Sequence, residues 1–454
     1  MRMKACLISV AVLAVGCGGT SSSEQGTGGN PDTGGSAEAG GTTAGGTGGG
    51  AGGSGAGGSG AGGSGAGGIT GTGGLGTSNT HTATGGKATG GKATGGSTGQ
   101  GGTVDAGTTS AGNPSGSCSA GIPARGQPVS TATPTTKIGS GTPESCDFAQ
   151  LQTAAAKGGI ITFDCGAAAH TILVTATLKL PITKSTVIDG GNRITLDGGG
   201  AVQIMRFDGI DWMTNTNTVT LQHITLVGGK TTPSEAIPTA AAPCSQGYND
   251  GEGGAVYVRD GNLVVIDAVF TNNQAAPLGP DTGGGAIYIN GSKNGVLIVG
   301  STFTGNKAAN AGAVGCLFAE LDVYNSLFQN NQAIGHDANN DDDSKCSAMN
   351  NGQHEIGSGG NGGALYSDGN SKNITLCGDA ILANAAGQNA FGGGLFFTSN
   401  DYGGTLSITD TTMTGNTGGS WTQVKGGSVA DVGSAVGTNA KSITVTNSTL
   451  QGMK

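Results

Sequence analysis

The chain has 454 residues, of which 95 are Gly, 4% are aromatic and 11% are charged. Because each Gly inside a helix costs about 1 kcal/mol relative to Ala, this composition excludes an ordinary helical domain. The lack of Gly at every third position excludes a collagen. Residues 117–454 hold 25 acidic and 16 basic side chains, a negative excess that argues against a nucleic-acid partner and favours neutral or cationic partners.

The amino terminus is predicted to be a lipoprotein signal peptide, residues 1–16. Two basic residues precede an apolar run that ends at Val15. This run suits a secretory signal and is shorter than the roughly 20 residues of a membrane span. The next residues resemble the lipobox of bacterial lipoproteins, although Ala14 stands where Leu is most usual. The resemblance implies that Cys17 is acylated, and Gly18 after it implies the outer membrane. A plain signal peptide cleaved near the same point is the alternative.

Residues 17–117 are predicted to be the lipidated Cys17 followed by a disordered tether rich in Gly, Ser and Thr. Residues 18–116 contain 41 of the 95 Gly and no Phe, Trp or Tyr. Little apolar burial can therefore offset an ordering entropy of about 1–2 kcal/mol per residue. Such a linker has a root-mean-square span of roughly 50–60 Å. It either holds the folded part away from a membrane or is a neutral repeat expansion. Residues 118–145 are expected to form an extended lead-in.

Beyond Cys146, short β-branched runs alternate with turns, and one phrase recurs in five copies. A Gly-Gly-Ala-type turn is followed 17 to 20 residues later by a bulky apolar residue and, three positions further on, by Asn. Each run alone is too short to bury a face, whereas stacked copies pair strand with strand at about 4.8 Å per layer. The copies begin at Gly253, Gly284, Ala311, Gly362 and Gly393 and end at Asn273, Asn306, Asn331, Asn384 and Asn416.

This pattern predicts an all-β fold, a single-stranded right-handed parallel β-helix of roughly 10–12 coils over residues 146–454. We expect Phe270, Phe303 and Phe328 to stack inside the solenoid. The recurring Asn are expected to bond turn backbone and the Asn of the next layer. The window Phe148–Lys157 is the best helical segment, because its apolar residues share one face, and we expect it to cap the amino-terminal opening.

The repeats resemble the Gly-Gly-Ala-Ile and Phe-x-x-Asn repeats of polymorphic outer membrane proteins. With the opening segments Phe163–Gly166, Thr186–Gly191 and Ile194–Gly199, they make residues 144–450 similar to bacterial right-handed parallel β-helix repeat lipoproteins of the pectin-lyase-like superfamily. The resemblance implies the fold. It implies little about activity, because such repeats serve adhesins, lyases and proteins of no known activity.

Seven Cys lie beyond the lipobox, and in an exported protein they can form disulfides. The odd number leaves at least one thiol without an intramolecular partner. Cys146 and Cys165 bracket the predicted capping helix and are expected to join. Closing this short loop contributes about 3 kcal/mol in the chain-entropy model.

Two repeats carry long insertions before their turn, residues 228–252 and 335–361, and both are expected to project from one side of the stack. Insertions on one face of a solenoid often form its binding surface. Cys244 and Cys346 lie in these insertions and are candidates for a disulfide across them. The second insertion also offers oxygen ligands at alternate positions, as a calcium loop would, although its spacing excludes an EF-hand. The candidate calcium ligands are Asp337, Asn339, Asp341 and Asp343, and a solvated acidic loop is the alternative.

No coherent catalytic cluster is visible in the sequence. A lyase would need a cation and a Lys or Arg as the base, and Arg259, Asp260 and Lys293 could serve. A hydrolase would need suitably spaced carboxylates. Turn chemistry explains most of these residues without catalysis. The carboxylates considered are Asp189, Asp197, Asp208 and Asp211.

The sequence therefore predicts an exported lipoprotein, anchored by lipid at the outer membrane or cell surface, whose β-helix is a non-enzymatic binding, adhesion or structural module. A glycan or a surface protein is the expected partner, reached through the inserted loops. The alternative is a polysaccharide lyase or glycoside hydrolase of the pectin-lyase-like superfamily, with catalytic residues that the sequence does not identify. Calcium is the one cofactor that the sequence suggests.

Overall fold

The structure is a computed structural model that describes residues 111–236, 246–338, 357–424, 427 and 430–453. Within these residues, short strands pair in parallel ladders, and a single α-helix precedes most of them. The helix α1 spans Phe148–Lys157, and 3-10 turns span Ala124–Gly126 and Pro143–Ser145. The strands are β1 (Thr136–Ile138), β2 (Gly159–Phe163), β3 (His170–Leu173), β4 (Leu178–Lys179), β5 (Thr186–Asp197), β6 (Met205–Asp208), β7 (Thr218–Val227), β8 (Val256–Arg259), β9 (Asn262–Ile266), β10 (Val269–Thr271), β11 (Ile287–Asn290), β12 (Val296–Val299), β13 (Thr302–Thr304), β14 (Lys307–Ala308), β15 (Val314–Leu317), β16 (Leu321–Tyr324), β17 (Leu327–Gln329), β18 (Gln332–Ala333), β19 (Leu365–Gly369), β20 (Asn373–Cys377), β21 (Ala380–Leu382), β22 (Leu395–Ser399), β23 (Thr405–Thr409), β24 (Thr412–Thr414), β25 (Trp421–Thr422), β26 (Val436–Thr438), β27 (Ser442–Thr446) and β28 (Thr449–Leu450).

Three ladders run along the solenoid and form its faces. Face 1 follows the Gly-Gly-Ala turns and contains β4, β6, β8, β11, β15, β19, β22 and β26. Face 2 contains β1, β2, β9, β12, β16, β20, β23 and β27, and face 3 contains β3, β10, β13, β17, β21, β24 and β28. The long strands β5 and β7 bend and belong to faces 2 and 3. The predicted parallel β-helix is confirmed.

The interior is built from columns of like residues, one from each layer. Phe270, Phe303 and Phe328 are fully buried, with neighbouring ring centroids 4.7 Å apart and ring planes within 2° of each other. The pairing register continues this column through Ile381 and Met413. The predicted aromatic ladder is therefore confirmed, with aliphatic residues completing it.

The recurring Asn form a second buried column. In each step, the backbone N–H and the Nδ2 of one Asn donate to Oδ1 of the next, at 2.9–3.0 Å. A second Nδ2 hydrogen bond goes to a main-chain carbonyl, as from Asn331 to Phe303 at 2.9 Å. These bonds confirm the predicted role of the Asn in turn backbone and between layers. The column consists of Asn273, Asn306, Asn331, Asn384 and Asn416.

A third column, which the sequence did not suggest, lies at the turn between faces 2 and 3. A backbone N–H of each layer donates to a side-chain oxygen of the next layer at 2.8–3.2 Å. Most members are hydroxyls, but Asp379 is a fully buried carboxylate. Burial raises the pKa of Asp379 to about 8, against the opposing hydrogen bonds from the N–H groups of Ser326 and Cys377. The acceptors are Ser301, Ser326, Asp379, Thr411 and Ser448.

The amino-terminal opening is closed by α1, which has the bounds expected from the sequence. The Asp147 carboxylate caps this helix by accepting a hydrogen bond from the N–H of Gln150 at 2.8 Å. Leu151 is fully buried on the face that packs against β1 and β4. A disulfide with an S–S distance of 2.02 Å joins Cys146 to Cys165, the pair expected to fix this cap.

Residues 111–135 form a strap along the outside of the solenoid, although the sequence assigns 111–117 to the tether. The strap begins along the turns between faces 2 and 3, where the N–H of Asn113 donates to the carbonyl of Asn325 at 2.9 Å. A disulfide between Cys118 and Cys377 fixes it there, with an S–S distance of 2.01 Å.

The strap then turns back and crosses face 2 towards β1. The side chain of Ile122 packs on the outward side chains of β9 and β12, which explains why both strands are buried on both sides. Further along, Arg125 forms an ion pair with Asp322, and Val129 exchanges hydrogen bonds with the side chain of Gln222 at 2.9 and 3.0 Å.

The remaining thiols are distributed as follows. Cys316 is unpaired and fully buried in β15, where its inward side chain lies in register with Ile289 and Ser367. Burial raises its pKa to about 12, so the thiol is unreactive. The proposed pairing of Cys244 with Cys346 lies outside the described residues.

Candidate functional site

Face 1 carries an outward row that departs from the uniformity of the interior. Successive side chains of a strand point to opposite sides, so the neighbours of buried core residues such as Val256 and Val258 point outward. The pairing register aligns one such residue from each layer into what we call the aromatic row. It consists of Arg206, Tyr257, Tyr288, Gly315, Tyr366, Phe396 and Gly437.

The aromatic row contains two stacks separated by one layer. Tyr257 and Tyr288 stack with centroids 6.4 Å apart, and Tyr366 stacks on Phe396 at 5.4 Å. Between the stacks lies Gly315, where an added Cβ would stand 2.7 Å from the ring of Tyr288. Gly at this position therefore gives the ring of Tyr288 room to lean over the strand, and it places no side chain of its own in the row.

A second outward row, two positions further along each strand, forms a mostly polar floor beside the first, and we call it the polar row. Its first members form ion pairs, because Asp208 lies 3.1 Å from Nε of Arg206 and 3.7 Å from a terminal nitrogen of Arg259. The guanidinium carbon of Arg206 lies 4.1 Å from the centre of the Tyr257 ring, a cation–π contact. The polar row consists of Asp208, Arg259, Asn290, Leu317, Asp368 and Thr398.

Loops that precede the Gly-Gly-Ala turns stand along one side of these rows. The described parts of the two insertions touch each other, since the hydroxyl of Ser358 donates to the carbonyl of Gln246 at 3.0 Å. The shorter loop of one of the two intervening layers also contacts the second insertion, because the N–H of Gly279 donates to the carbonyl of Ser358 at 3.1 Å. The two insertions therefore lie on the same side of the stack, as their equivalent positions in the repeat predict.

A loop between β6 and β7 stands at the opposite ends of the face 1 strands. Its Trp212 meets Phe318 edge to face at 5.9 Å and lies against Gly291, residues that follow β15 and β11. Trp212 nevertheless keeps 50% of its surface exposed, and Ile210 keeps 74%. Face 1 thus presents a strip of outward side chains, which we call the groove, between inserted loops on one side and an exposed apolar loop on the other. The rings of Tyr257, Tyr288 and Phe396 in this strip are themselves buried.

Three carboxylates at the groove, those of Glu252, Asp281 and Asp368, ionise less readily than in water. Burial raises the pKa of Asp368 to about 6, and the negative charge of Asp281 adds to this effect, while a hydrogen bond from Asn400 opposes it. Asp281 is exposed at the groove surface, yet the surrounding protein raises its pKa as well. Burial and the charge of Asp250 raise the pKa of Glu252, which precedes the first Gly-Gly-Ala turn.

The catalytic candidates from the sequence do not converge. Asp208 and Arg259 lie together in the groove. Asp189 lies at the turn between faces 2 and 3, where it bonds the side chains of Gln222 and His223. Asp197 accepts a hydrogen bond from the N–H of Gly199 at 2.7 Å, as an Asp-Gly turn requires. The sequence analysis did not single out Asp281 or Asp368. The aromatic residue at the end of most turn phrases could have indicated the outward row of face 1, next to which these carboxylates lie.

The proposed calcium ligands are described only at Asp337. Burial opposes ionisation of this carboxylate, but hydrogen bonds from Asn389 and His336 at 2.7 Å each outweigh it and hold its pKa below the ordinary value. Asn339, Asp341 and Asp343 lie outside the described residues, as does Cys17. In the part of the chain that the structure describes, no three His, Cys, Asp or Glu side chains are grouped to hold a metal ion.

Comparison with known proteins identifies the repeats. Residues 267–290 and 325–368 match the Chlamydia polymorphic membrane protein repeat, and these segments contain Asp281 and Asp368. No curated protein and no solved structure matches the chain. None of the helices in the described ranges has the length and apolar character that crossing a bilayer requires. The chain therefore carries polymorphic membrane protein-type repeats stacked as a parallel β-helix.

Proposed function

We propose that this chain is an exported lipoprotein, acylated at Cys17, that displays the face 1 groove at the cell surface and binds a glycan or a surface protein there without catalysis. The observation that supports this most directly is the groove itself. Exposed apolar residues beside a polar floor are typical of binding sites rather than of a solenoid face that only covers a core.

The anchor is tested with the full chain. Cys17→Ser removes the acylated thiol, and the protein is expected to move from the membrane fraction to the soluble fraction after export. Retention of the variant in membranes would place the anchor elsewhere.

The soluble Cys17→Ser protein then serves as the binding reagent. Its binding to immobilised neutral and acidic polysaccharides and to intact cells is measured with and without calcium, since the insertion containing Asp337 is our proposed calcium loop. Trp212→Ala is expected to weaken binding at least tenfold, because a Trp anchor commonly contributes more than about 2 kcal/mol. Leu173→Ala is the matched control, since Leu173 is 55% exposed and lies on face 3. Equal effects of the two substitutions would exclude the groove as the binding surface.

A second function, polysaccharide cleavage, is favoured by one specific observation. Burial raises the pKa of Asp368 to about 6, and the charge of a second carboxylate, Asp281, adds to this effect, which suits general acid or base chemistry near neutral pH. Incubation with the same polysaccharides, followed by measurement of new reducing ends and unsaturated products, tests this alternative. Turnover that disappears in Asp368→Asn would establish an enzyme, whereas binding without turnover supports the module that we propose.

A further inference from the structure

The first part of the strap lies on the corner between faces 2 and 3 and bonds successive layers of the solenoid there. The N–H of Gly112 donates to Thr302 Oγ1 at 2.8 Å. Two layers further along, the carbonyl of Gly378 accepts a hydrogen bond from Asn113 Nδ2 at 2.9 Å. In a solenoid with three faces, this corner lies opposite face 1. The amino-terminal part of the chain is therefore joined to the solenoid on the side away from the groove.

Glycine allows the two backbones to approach this closely. A Cβ at Gly112 would stand 2.6 Å from the main chain of Gly300, and one at Gly116 would stand 2.7 Å from the carbonyl oxygen of Gly378. On the solenoid side, a Cβ at Gly378 would stand 2.8 Å from the backbone nitrogen of Cys118. A side chain at any of these positions would push the strap off the corner, so the two surfaces are fitted to each other.

The Cys118–Cys377 disulfide connects the strap to the coil that contains β19, β20 and β21. Cys377 is the last residue of β20, and β19 of the same coil supplies Leu365–Gly369 to face 1. Only residues 370–376 lie between that strand and Cys377. Without the disulfide, the covalent path from the strap to β19 would run through α1 and all the coils before it. The disulfide therefore connects the amino-terminal part of the chain directly to a coil of the groove.

We propose that the Cys118–Cys377 disulfide is the mechanical anchor of the solenoid, which carries a pull between the amino-terminal part of the chain and a partner held on face 1. This inference rests on the proposed function, which places a lipid at Cys17 and a partner in the groove. The two Cys are 259 residues apart, so the disulfide encloses the rest of the strap, α1 and the coils up to β20. A pull that passes through the disulfide leaves these elements without load.

The contacts of the strap beyond Cys118 are poorly suited to bear the same pull. Ile122 packs on the outside of β9 and β12, and Arg125 pairs with Asp322 where both side chains are partly exposed. Ion pairs of this kind contribute little to stability. Each coil of a solenoid contacts only its neighbours, so coils can be lost one after another from a loaded end. A pull without the disulfide would therefore peel off the strap and then the amino-terminal coils.

The test stretches single molecules of the full-length Cys17→Ser protein, the parent, between two handles. One handle is on the amino terminus, and the other is on an azide-bearing residue in place of Asn370, which is exposed in the turn after β19. We expect the parent to show no unfolding step before a handle breaks. The variant with both Cys118→Ser and Cys377→Ser should lengthen in steps at severalfold lower force, beginning with the strap. Its total lengthening should be on the order of several hundred Å, at about 3.5 Å per released residue.

The matched control removes the other disulfide of the described residues, by Cys146→Ser with Cys165→Ser, because that disulfide lies outside the proposed load path. This control should resist stretching as the parent does. Circular dichroism verifies the fold of each variant. If the Cys118→Ser, Cys377→Ser variant does not fold, reductant is added to folded control molecules under load, and lengthening should begin only then.

Three outcomes would overturn the proposal. They are unfolding steps in the parent, steps in the control before reductant is added, and a folded Cys118→Ser, Cys377→Ser variant or reduced control that resists stretching as well as the parent. The handles replace both the lipid and the partner, so the result does not depend on acylation of Cys17 or on any ligand. Failure of the proposed function would appear in the membrane fractionation and binding assays, whereas failure of the mechanical anchor appears only under load.

Discussion

Replacing Asn331 by Ala removes one step of the Asn column and tests how much the column stabilises the solenoid. Asn331 Oδ1 accepts hydrogen bonds from the backbone N–H and Nδ2 of Asn306 at 3.0 and 2.9 Å. Its Nδ2 donates to the Phe303 carbonyl and to Asn384 Oδ1, both at 2.9 Å. All four residues are fully buried. The substitution leaves the Asn306 N–H without its acceptor, at a cost of about 1–3 kcal/mol, and removes three further bonds at about 1 kcal/mol each. We therefore expect the free energy of unfolding to fall by about 5 kcal/mol.

The assay is urea unfolding followed by circular dichroism, together with hydrogen exchange. Because stacked repeats gain stability mainly from their nearest neighbours, the loss of protection should centre on β13, β17 and β21. Asn331→Asp keeps the acceptor but places an oxygen against the Phe303 carbonyl, so it should destabilise at least as much. The control is Asn330→Gly, because Asn330 is exposed with φ of 55°, a conformation that Gly adopts without strain. A loss below about 1 kcal/mol for Asn331→Ala, or an equal loss in the control, would refute the reasoning.

Two further predictions concern the strap and the buried carboxylate. Changing both Cys118 and Cys377 to Ser removes the disulfide between the strap and the solenoid and leaves only non-covalent contacts between them. We expect trypsin to cleave after Arg125 at least tenfold faster in this variant, with the cleavage followed by mass spectrometry. An unchanged cleavage rate would show that the disulfide is not needed to hold the strap. Burial raises the pKa of Asp379 to about 8, so the folded state binds this proton more tightly than the unfolded state. The free energy of unfolding of the wild type should therefore fall by on the order of 5 kcal/mol as the pH rises from about 4 to about 8. Asp379→Ser should not show this fall. Urea unfolding midpoints of both proteins, measured across that pH range, test the prediction. Parallel pH profiles for the two proteins would contradict this prediction.

The interior of the fold was predictable because stacking requires like residues at like positions. Phe270, Phe303 and Phe328 recur with the period of one coil. Residues with this spacing occupy equivalent positions in successive coils, so the repetition in the sequence directly predicts the column in the structure. The capping helix was predictable for a different reason, since the apolar face of Phe148–Lys157 is encoded within 10 consecutive residues. In both cases the information lies within one repeat or one helix.

The strap was not predictable, because its contacts are distant in sequence. Cys118 and Cys377 are 259 residues apart, and nothing near either residue indicates the other. Gly112 and Gly116 belong to the same Gly-rich composition as the preceding tether, and composition alone favours disorder there. Their order comes from surrounding partners, such as the backbone of Asn325, which exist only once the solenoid is assembled.

The groove was partly visible in the sequence. An aromatic residue stands at the end of the turn phrase in Tyr257, Tyr288, Tyr366 and Phe396, and alternation along a strand places it opposite the core. Other features depend on the register between layers and on loops from other coils. These are the pairing of the aromatic residues into stacks, the interruption at Gly315 and the crowding around the carboxylates. A single repeat contains none of that information.

The contrast between inner and outer columns is the strongest reason to place function on face 1. Inside, the Asn column keeps one residue through five layers and the Phe column stays apolar, because most changes there leave a void or an unpaired polar group. Outside, the aromatic row changes from Arg206 to Tyr257 and then to Gly315, and the neighbouring row places Asp368 where ionisation is disfavoured. The solenoid gains no stability from a carboxylate with a raised pKa on its surface, so a requirement other than folding is needed to explain it. The binding function that we propose for this face supplies that requirement.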